Sequence, residues 1–244
     1  MNVDKRTISV HISFDDVILI FDEMKRGNYK SVFQYRIFKR LKWFHKKYGC
    51  KFTLYVFVEF SDKYLCEIPY KYRKELVDNS DWIKWGYHGY SPKMLKGQFK
   101  EGYKIFRKLL VENLGESCES HIVRLHSFCA NRDQLIFMKN SGVDSFLTSD
   151  DNRLSYDLSE IENRILADKG SYKREIDNFY YFKTMVRLEA FSLFKILKFD
   201  ERKRQVIIFT HEKYLLNKFF SKELFKLWII LCILNHRYDI TYFN

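Results

Sequence analysis

Two adjacent carboxylates, Asp15 and Asp16, close an apolar segment, Thr7–Phe14, of strand length and composition. Four later segments of the same type also run into polar, titratable groups. They give Tyr87-His88-Gly89-Tyr90-Ser91, Arg124-Leu125-His126-Ser127, Thr148-Ser149-Asp150-Asp151 and Phe209-Thr210-His211-Glu212. Histidine nitrogen and carboxylate oxygen together suit a borderline-soft divalent ion such as zinc, and a catalytic site leaves one coordination position open. Water bound there is acidified, and a neighbouring carboxylate can take its proton. Asp15 and Asp16 can divide these tasks, one on the metal and one as base. An opposing histidine that protonates a leaving amine would complete an amide hydrolase.

Each feature alone has an ordinary reading. An Asp-Asp pair after a strand is often a helix N-cap, a strand-end histidine is often a satisfied half-buried one, and Asp150-Asp151-Asn152-Arg153 reads as a solvated turn with a local ion pair. The coincidence carries more weight than its members. In parallel α/β folds ligands bind at the carboxyl ends of strands, and capping alone does not put titratable groups at five of them.

The elements that would position these groups alternate along the chain. Strand-type segments are Thr7–Phe14, Phe52–Phe60, Ile83–His88, Ile122–Phe128, Ser145–Thr148 and Gln205–Thr210. Helical stretches separate them: Ser31–Tyr48, Asn131–Asn140, and Lys93–Leu114, where Leu95, Phe99, Phe106, Leu110 and Leu114 share one face while Lys96, Lys100, Arg107 and Lys108 stay wet. Such alternation implies a mainly parallel sheet, open or closed into a barrel. Residues 155–189 break the rhythm and read as an inserted hairpin or lid carrying the aromatic run Phe179–Phe182. Ser221–Leu234 reads as a last helix, with a short strand around Asp239–Phe243.

With 244 residues, 46% hydrophobic and 30% charged, the chain is neither disordered nor fibrous, and a single domain over 1–244 is expected. Its net charge of +12 favours anionic partners. Five cysteines without a CxxC pair argue against a disulfide framework or a thiolate zinc site. The first residues have no apolar signal core, and the apolar run Leu227–Leu234 is far shorter than the ~20 residues that span a bilayer, so a reducing cytoplasm is the expected setting.

The ordered set SFDD (13–16), WGYHGYS (85–91), VRLHSF (123–128), LTSDD (147–151) and FTHE (209–212) resembles the polysaccharide deacetylases of carbohydrate esterase family 4, the NodB-homology fold. The likeness runs from about Thr7 to Glu212. Within that family, HISFDDV, WIKWGYHG and SDDNRLSYDL are similar to the short WbmS-type proteins of bacterial O-antigen and capsule clusters. The resemblance implies a single-domain, distorted (β/α) barrel that removes N-acetyl groups with a divalent metal. It also implies Asp15 as catalytic base, Asp16 and His88 as metal ligands, Arg124 as the group that orients the base, and His211 as general acid. The pair Asp150 and Asp151 falls near the family's aspartate-containing fourth motif. The chain departs from the pattern at Pro92, where the family has its second metal histidine, at Gly89, where it has Ser or Thr, and at Leu125-His126, where it has an Arg-x-Pro continuation. His126 is the preferred third ligand; water or Glu212 are the alternatives.

The leading expectation is therefore a metal-dependent carbohydrate N-deacetylase, a hydrolase of C–N amide bonds. Its metal is zinc, with cobalt, nickel or iron as alternatives. Its substrate is an N-acetylated sugar, nucleotide- or lipid-linked, in surface-polysaccharide assembly. A degenerate barrel that binds glycan or scaffolds assembly is the alternative, supported by Pro92. Nucleic acid is not expected as a partner, because the basic runs at Lys39–Lys47 and Glu201–Arg204 belong to no recognised binding module. Lys39–Lys47, with its aromatics, instead suits peripheral contact with an anionic membrane face.

Overall fold

The structure, a computed structural model, describes residues 5–61, 64–93, 98–151, 153–197, 204–216 and 221–244. Its strands are β1 (Thr7–Val17), β2 (Phe52–Phe57), β3 (Glu59–Phe60), β4 (Tyr64–Leu65), β5 (Ile83–Gly89), β6 (Ile122–Val123), β7 (Ser145–Leu147), β8 (Ser171–Arg174), β9 (Phe179–Phe182), β10 (Val186–Arg187), β11 (Gln205–His211) and β12 (Asp239–Tyr242). Its helices are α1 (Leu19–Arg26), α2 (Arg36–Tyr48), α3 (Tyr70–Val77), α4 (Phe99–Phe106), α5 (Glu112–Leu114), α6 (Arg132–Lys139), α7 (Glu160–Lys169), α8 (Phe194–Leu197), α9 (Glu212–Leu215) and α10 (Lys222–Arg237).

The mixed α/β architecture with a parallel sheet agrees with the reading above. One sheet has the order β10-β11-β1-β2-β5, all parallel. β1 is long enough to hold two partners on one edge: β12 along Thr7–Val10 and β2 from Ser13 onward. The second sheet has the order β6-β7-β9-β8. The two meet at two seams. One is a single bridge between Trp85 and Glu119, with Ser120 N–H donating to the Trp85 carbonyl at 2.9 Å. At the other, the chain passes from β9 in one sheet to β10 in the other.

Side-chain alternation sorts the long first strand. Ile8, Val10, Ile12 and Phe14 join the main core with the helices, whereas His11 faces Tyr55 and Phe243. A small inner cluster of Tyr55, Leu147 and Ile207 draws on strands of both sheets. Gly86, opposite Tyr55 in register, leaves room for that ring; a Cβ there would lie 2.5 Å from it. His11 Nδ1–H donates to the Phe243 carbonyl at 3.1 Å, and burial pushes the His11 imidazole down to about 3, so it is a neutral member of this layer.

Several expected elements take a different form. The helix read over Lys93–Leu114 begins at Phe99, with a wider π-helical turn at Arg107–Val111 before α5; Phe99, Phe106, Leu110 and Leu114 are buried as expected. Leu95 and Lys96 lie outside the described residues, as do Asn152 and Glu201–Lys203. The strand read over Ile122–Phe128 ends at Val123, and a left-handed backbone at Ser127 and Phe128 then turns the chain. Within 155–189 the inserted element is a hairpin, β8–β9, preceded by α7, which starts on a Ser159–Glu162 capping box. β9 pairs in parallel with β7, and Phe179 and Tyr181 are buried, so the hairpin is built into the second sheet.

Glu212 is not a member of the cluster that Asp16, His88 and His126 form. Its buried carboxylate accepts the backbone N–H groups of Ile18, Leu19 and Ile20 at 3.2, 2.9 and 2.7 Å, closing the orphan donors at the start of α1. Among the described residues no helix is long and apolar enough to cross a membrane. The expected result of Glu212→Ala is a loss of at least about 2 kcal/mol in urea unfolding, since three donors then lose their acceptor.

Candidate active site

A strand sends neighbouring side chains to opposite faces, so Asp15 and Asp16 would not ordinarily reach one cavity. β1 solves this with a bulge. Phe14 pairs with Leu54 and Val17 with Val56, so Asp15 and Asp16 together oppose Tyr55 alone. Asp16 adopts a left-handed backbone, φ 59°, which is costly for a non-glycine residue. Both carboxylates line a cavity of about 150 Å³.

His88 arrives by the same device. Val56 pairs with Tyr87 and Phe57 with Gly89, leaving His88 as the extra residue of β5. His126 sits at the turn after β6, just before the two left-handed residues Ser127 and Phe128. The Phe57 ring stands edge-on to both imidazoles, 4.9 Å from His88 and 5.1 Å from His126. Asp16 Oδ1 is 3.2 Å from His88 Nε2 and 3.6 Å from His126 Nδ1, and the ligand atoms of all three residues lie within 4.8 Å of one another.

The chemistry of this cluster suits a divalent cation. The His88 Nδ1–H donates to the Arg124 backbone carbonyl at 2.7 Å, since a carbonyl can only accept. In the neutral ring Nε2 then turns its lone pair toward a carboxylate oxygen, and two acceptors at 3.2 Å repel unless a proton or a cation joins them. One carboxylate and two imidazoles match the donor set of zinc and its neighbours, and the cavity side stays open for further ligands. Burial works against the Asp16 charge, but pairing with His126 and His88 and the nearby His211 hold its carboxyl well below the usual range.

Around the cluster stand the other predicted groups. Asp15 is buried, with Oδ2 3.4 Å from Arg124 Nη1, and Oδ1 has no hydrogen-bond partner among the described residues. Arg124 is fully buried and its guanidinium lies 4.0 Å above the Phe209 ring. His211 is opposite Asp15 in the β1–β11 register, with Nε2 3.9 Å from Asp16 Oδ2. Its Nδ1–H donates to Glu189 Oε1 at 2.5 Å. Burial lowers the His211 pKa, but the Glu189 bond and the surrounding carboxylates outweigh it and raise the ring above its ordinary value.

Asp150 also lines the cavity, in an ion pair with Arg187 at 3.2 Å. Asp151 does not. It is half-exposed and grips Arg153, which lines the cavity, through Nε at 2.9 Å and Nη2 at 2.6 Å, as the local-turn reading has it. Glu189 and Arg187 are site residues that the sequence reading did not single out. The available signal was Val186-Arg187-Leu188-Glu189, one more apolar segment ending in charge, hidden by the two-residue length of β10.

No family profile and no curated protein matches the chain by sequence. Solved structures are similar in fold. A 4-alpha-glucanotransferase from Thermococcus litoralis superposes with TM-score 0.57 at 8% identity over 99% of this chain, which spans 40% of that protein's length. A polysaccharide-deacetylase assignment from Mycobacterium smegmatis gives TM-score 0.53 at 12% identity, over 98% of this chain and 87% of its own. The Bc1960 peptidoglycan N-acetylglucosamine deacetylase gives 0.50 at 10% identity, over 98% and 86%. The fold is that of the polysaccharide deacetylases.

Because Arg124 is buried without solvent, removing its carboxylate partner strands a charge. Asp15→Ala is expected to destabilise the fold by about 3–5 kcal/mol in denaturant unfolding, and Asp15→Ala/Arg124→Met to recover part of that loss.

Proposed function

We propose that this chain, acting as one domain over 1–244, is a metal-dependent carbohydrate N-deacetylase. The observation that carries the reading is the convergence of Asp16, His88 and His126 with the Asp15–Arg124 and His211–Glu189 pairs at a single cavity. Asp16, His88 and His126 would hold a divalent cation, zinc first, with cobalt, nickel or iron as alternatives. That cation supplies Lewis acidity toward the amide carbonyl and an attacking water.

The protein groups do the rest. Arg124 fixes the orientation of Asp15 through one oxygen, and the other oxygen takes a proton from the attacking water as its oxygen bonds to the acetyl carbon. Glu189 holds the His211 ring and keeps it protonated, so that Nε2–H can be delivered to the sugar nitrogen as the C–N bond breaks. Acetate and the free amino sugar leave. Asp150, tied to Arg187, shapes the cavity wall, and Asp151 acts by holding Arg153. The substrate we assign is an N-acetylated sugar intermediate of surface-polysaccharide assembly carried on a nucleotide or lipid; its phosphates suit the +12 charge.

Acetate release from N-acetylated sugars by the zinc-loaded protein tests this. Asp15→Asn should lower kcat by on the order of 10²–10⁴ while leaving bound metal in place. No acetate release from nucleotide-linked, lipid-linked or free N-acetyl sugars by a metal-loaded wild type would overturn the reading in favour of a glycan-binding barrel. The pH profile gives a second check. His211 must be protonated, so activity falls as pH rises through its raised pKa. Glu189→Gln removes the charge that raises it, and the alkaline limb should move to lower pH.

A further inference from the structure

The outer helical face formed by α2 and α10 is used by nothing in the site, and none of its groove residues lines the catalytic cavity. α2 contains no acidic residue. Ile37, Phe38, Leu41 and Phe44 bury its inner side, which leaves Lys39, Lys46 and Lys47 exposed and Arg40 and Lys42 half-exposed around Trp43. Trp43 is 45% exposed. On α10, Lys222 is exposed, Phe225 is 42% exposed, and Glu223, the one acid nearby on that helix, is buried. Lys47 Nζ lies 4.9 Å from the Trp43 ring centre and 6.0 Å from that of Trp228, so the two helix faces form one surface.

Between them runs an apolar groove of about 250 Å³ walled by Trp43, Phe44, Leu224, Phe225 and Trp228, with Arg40 at its side. Arg40 Nη1 is buried and has no hydrogen-bond partner among the described residues. Large aromatics ringed by cations match the boundary of an anionic bilayer. Rings settle at headgroup depth, lysine stems run along the apolar surface with their ammonium groups at the phosphates, and each added cation strengthens attraction to anionic lipid. A nucleic acid would need flat, open rings for stacking; here the rings are walls of a groove.

We propose that the α2–α10 face docks on an anionic phospholipid bilayer, with a lipid phosphate on Arg40 and Trp43, Phe225 and Trp228 at the headgroup–acyl boundary. The claim is independent of the deacetylase reading, because it uses none of that site's residues. Co-sedimentation of the full chain with vesicles of phosphatidylcholine alone, and of equimolar phosphatidylcholine and phosphatidylglycerol, tests it. Binding only to the anionic vesicles is expected. Lys39→Glu/Lys46→Glu should weaken it at least about tenfold, and added salt should weaken it too. Trp43→Ser/Phe225→Ser should weaken it while keeping the wild-type melting temperature; if that variant melts early, the lysine pair alone decides. Absence of binding to anionic vesicles, equal binding to neutral ones, or unaltered binding by the lysine variant would overturn the proposal. So would displacement of the vesicles by a labelled RNA oligonucleotide, which would assign the face to nucleic acid.

Discussion

Consecutive residues of a β-strand face opposite ways, and the whole site depends on breaking that rule at one place. Were β1 regular at its carboxyl end, Asp15 would face the interior and Asp16 the helices, and no pair of carboxylates would share the cavity. One inserted residue and a left-handed backbone at Asp16 turn both inward. The same irregularity recurs at His88 on β5, and His126 is placed by a left-handed turn. Three backbone defects around β2 therefore aim three ligand-type side chains at one point. Strain of this kind persists only where the surroundings over-determine it, and here the flanking strand ladders and the buried Phe57 do so.

Electrostatics then separates the roles of groups that are chemically alike. Asp15 is buried against Arg124, whereas Asp16 sits among imidazoles; His88 is oriented by a backbone carbonyl, whereas His211 is oriented by Glu189. Each histidine has one nitrogen committed to an acceptor and the other turned toward the cavity. Two carboxylates and two histidines thus acquire different partners and surroundings from the fold alone, so that chemically like groups can take different roles.

Much of this was readable in the residues. Apolar segments of strand length ending in Asp, His or Arg placed Asp15, Asp16, His88, His126, Asp150 and His211 on one cavity and Arg124 against Asp15, and the departure at Pro92 pointed to His126 as a replacement that the geometry brings beside Asp16. What escaped has physical causes. Glu189 follows a strand too short to show periodicity. Glu212 and Asp151 have the right type and position, yet one closes a helix start and the other holds an adjacent arginine; only three-dimensional packing separates a ligand from a cap. The hairpin around Phe179–Phe182 read as an interruption because its strand joins a second sheet whose members are mostly two to four residues long.

The central claim is that Asp16, His88 and His126 together hold one cation, with His126 standing in for the missing histidine at position 92. Metal content of the purified full chain by mass spectrometry, after incubation with zinc and removal of excess, tests it most directly. The account predicts near-stoichiometric metal in the wild type and its loss in Asp16→Ala, His88→Ala and His126→Ala, each checked for folding by circular dichroism. A wild type that takes up no zinc or cobalt, or a folded His126→Ala variant that retains full metal, would contradict it.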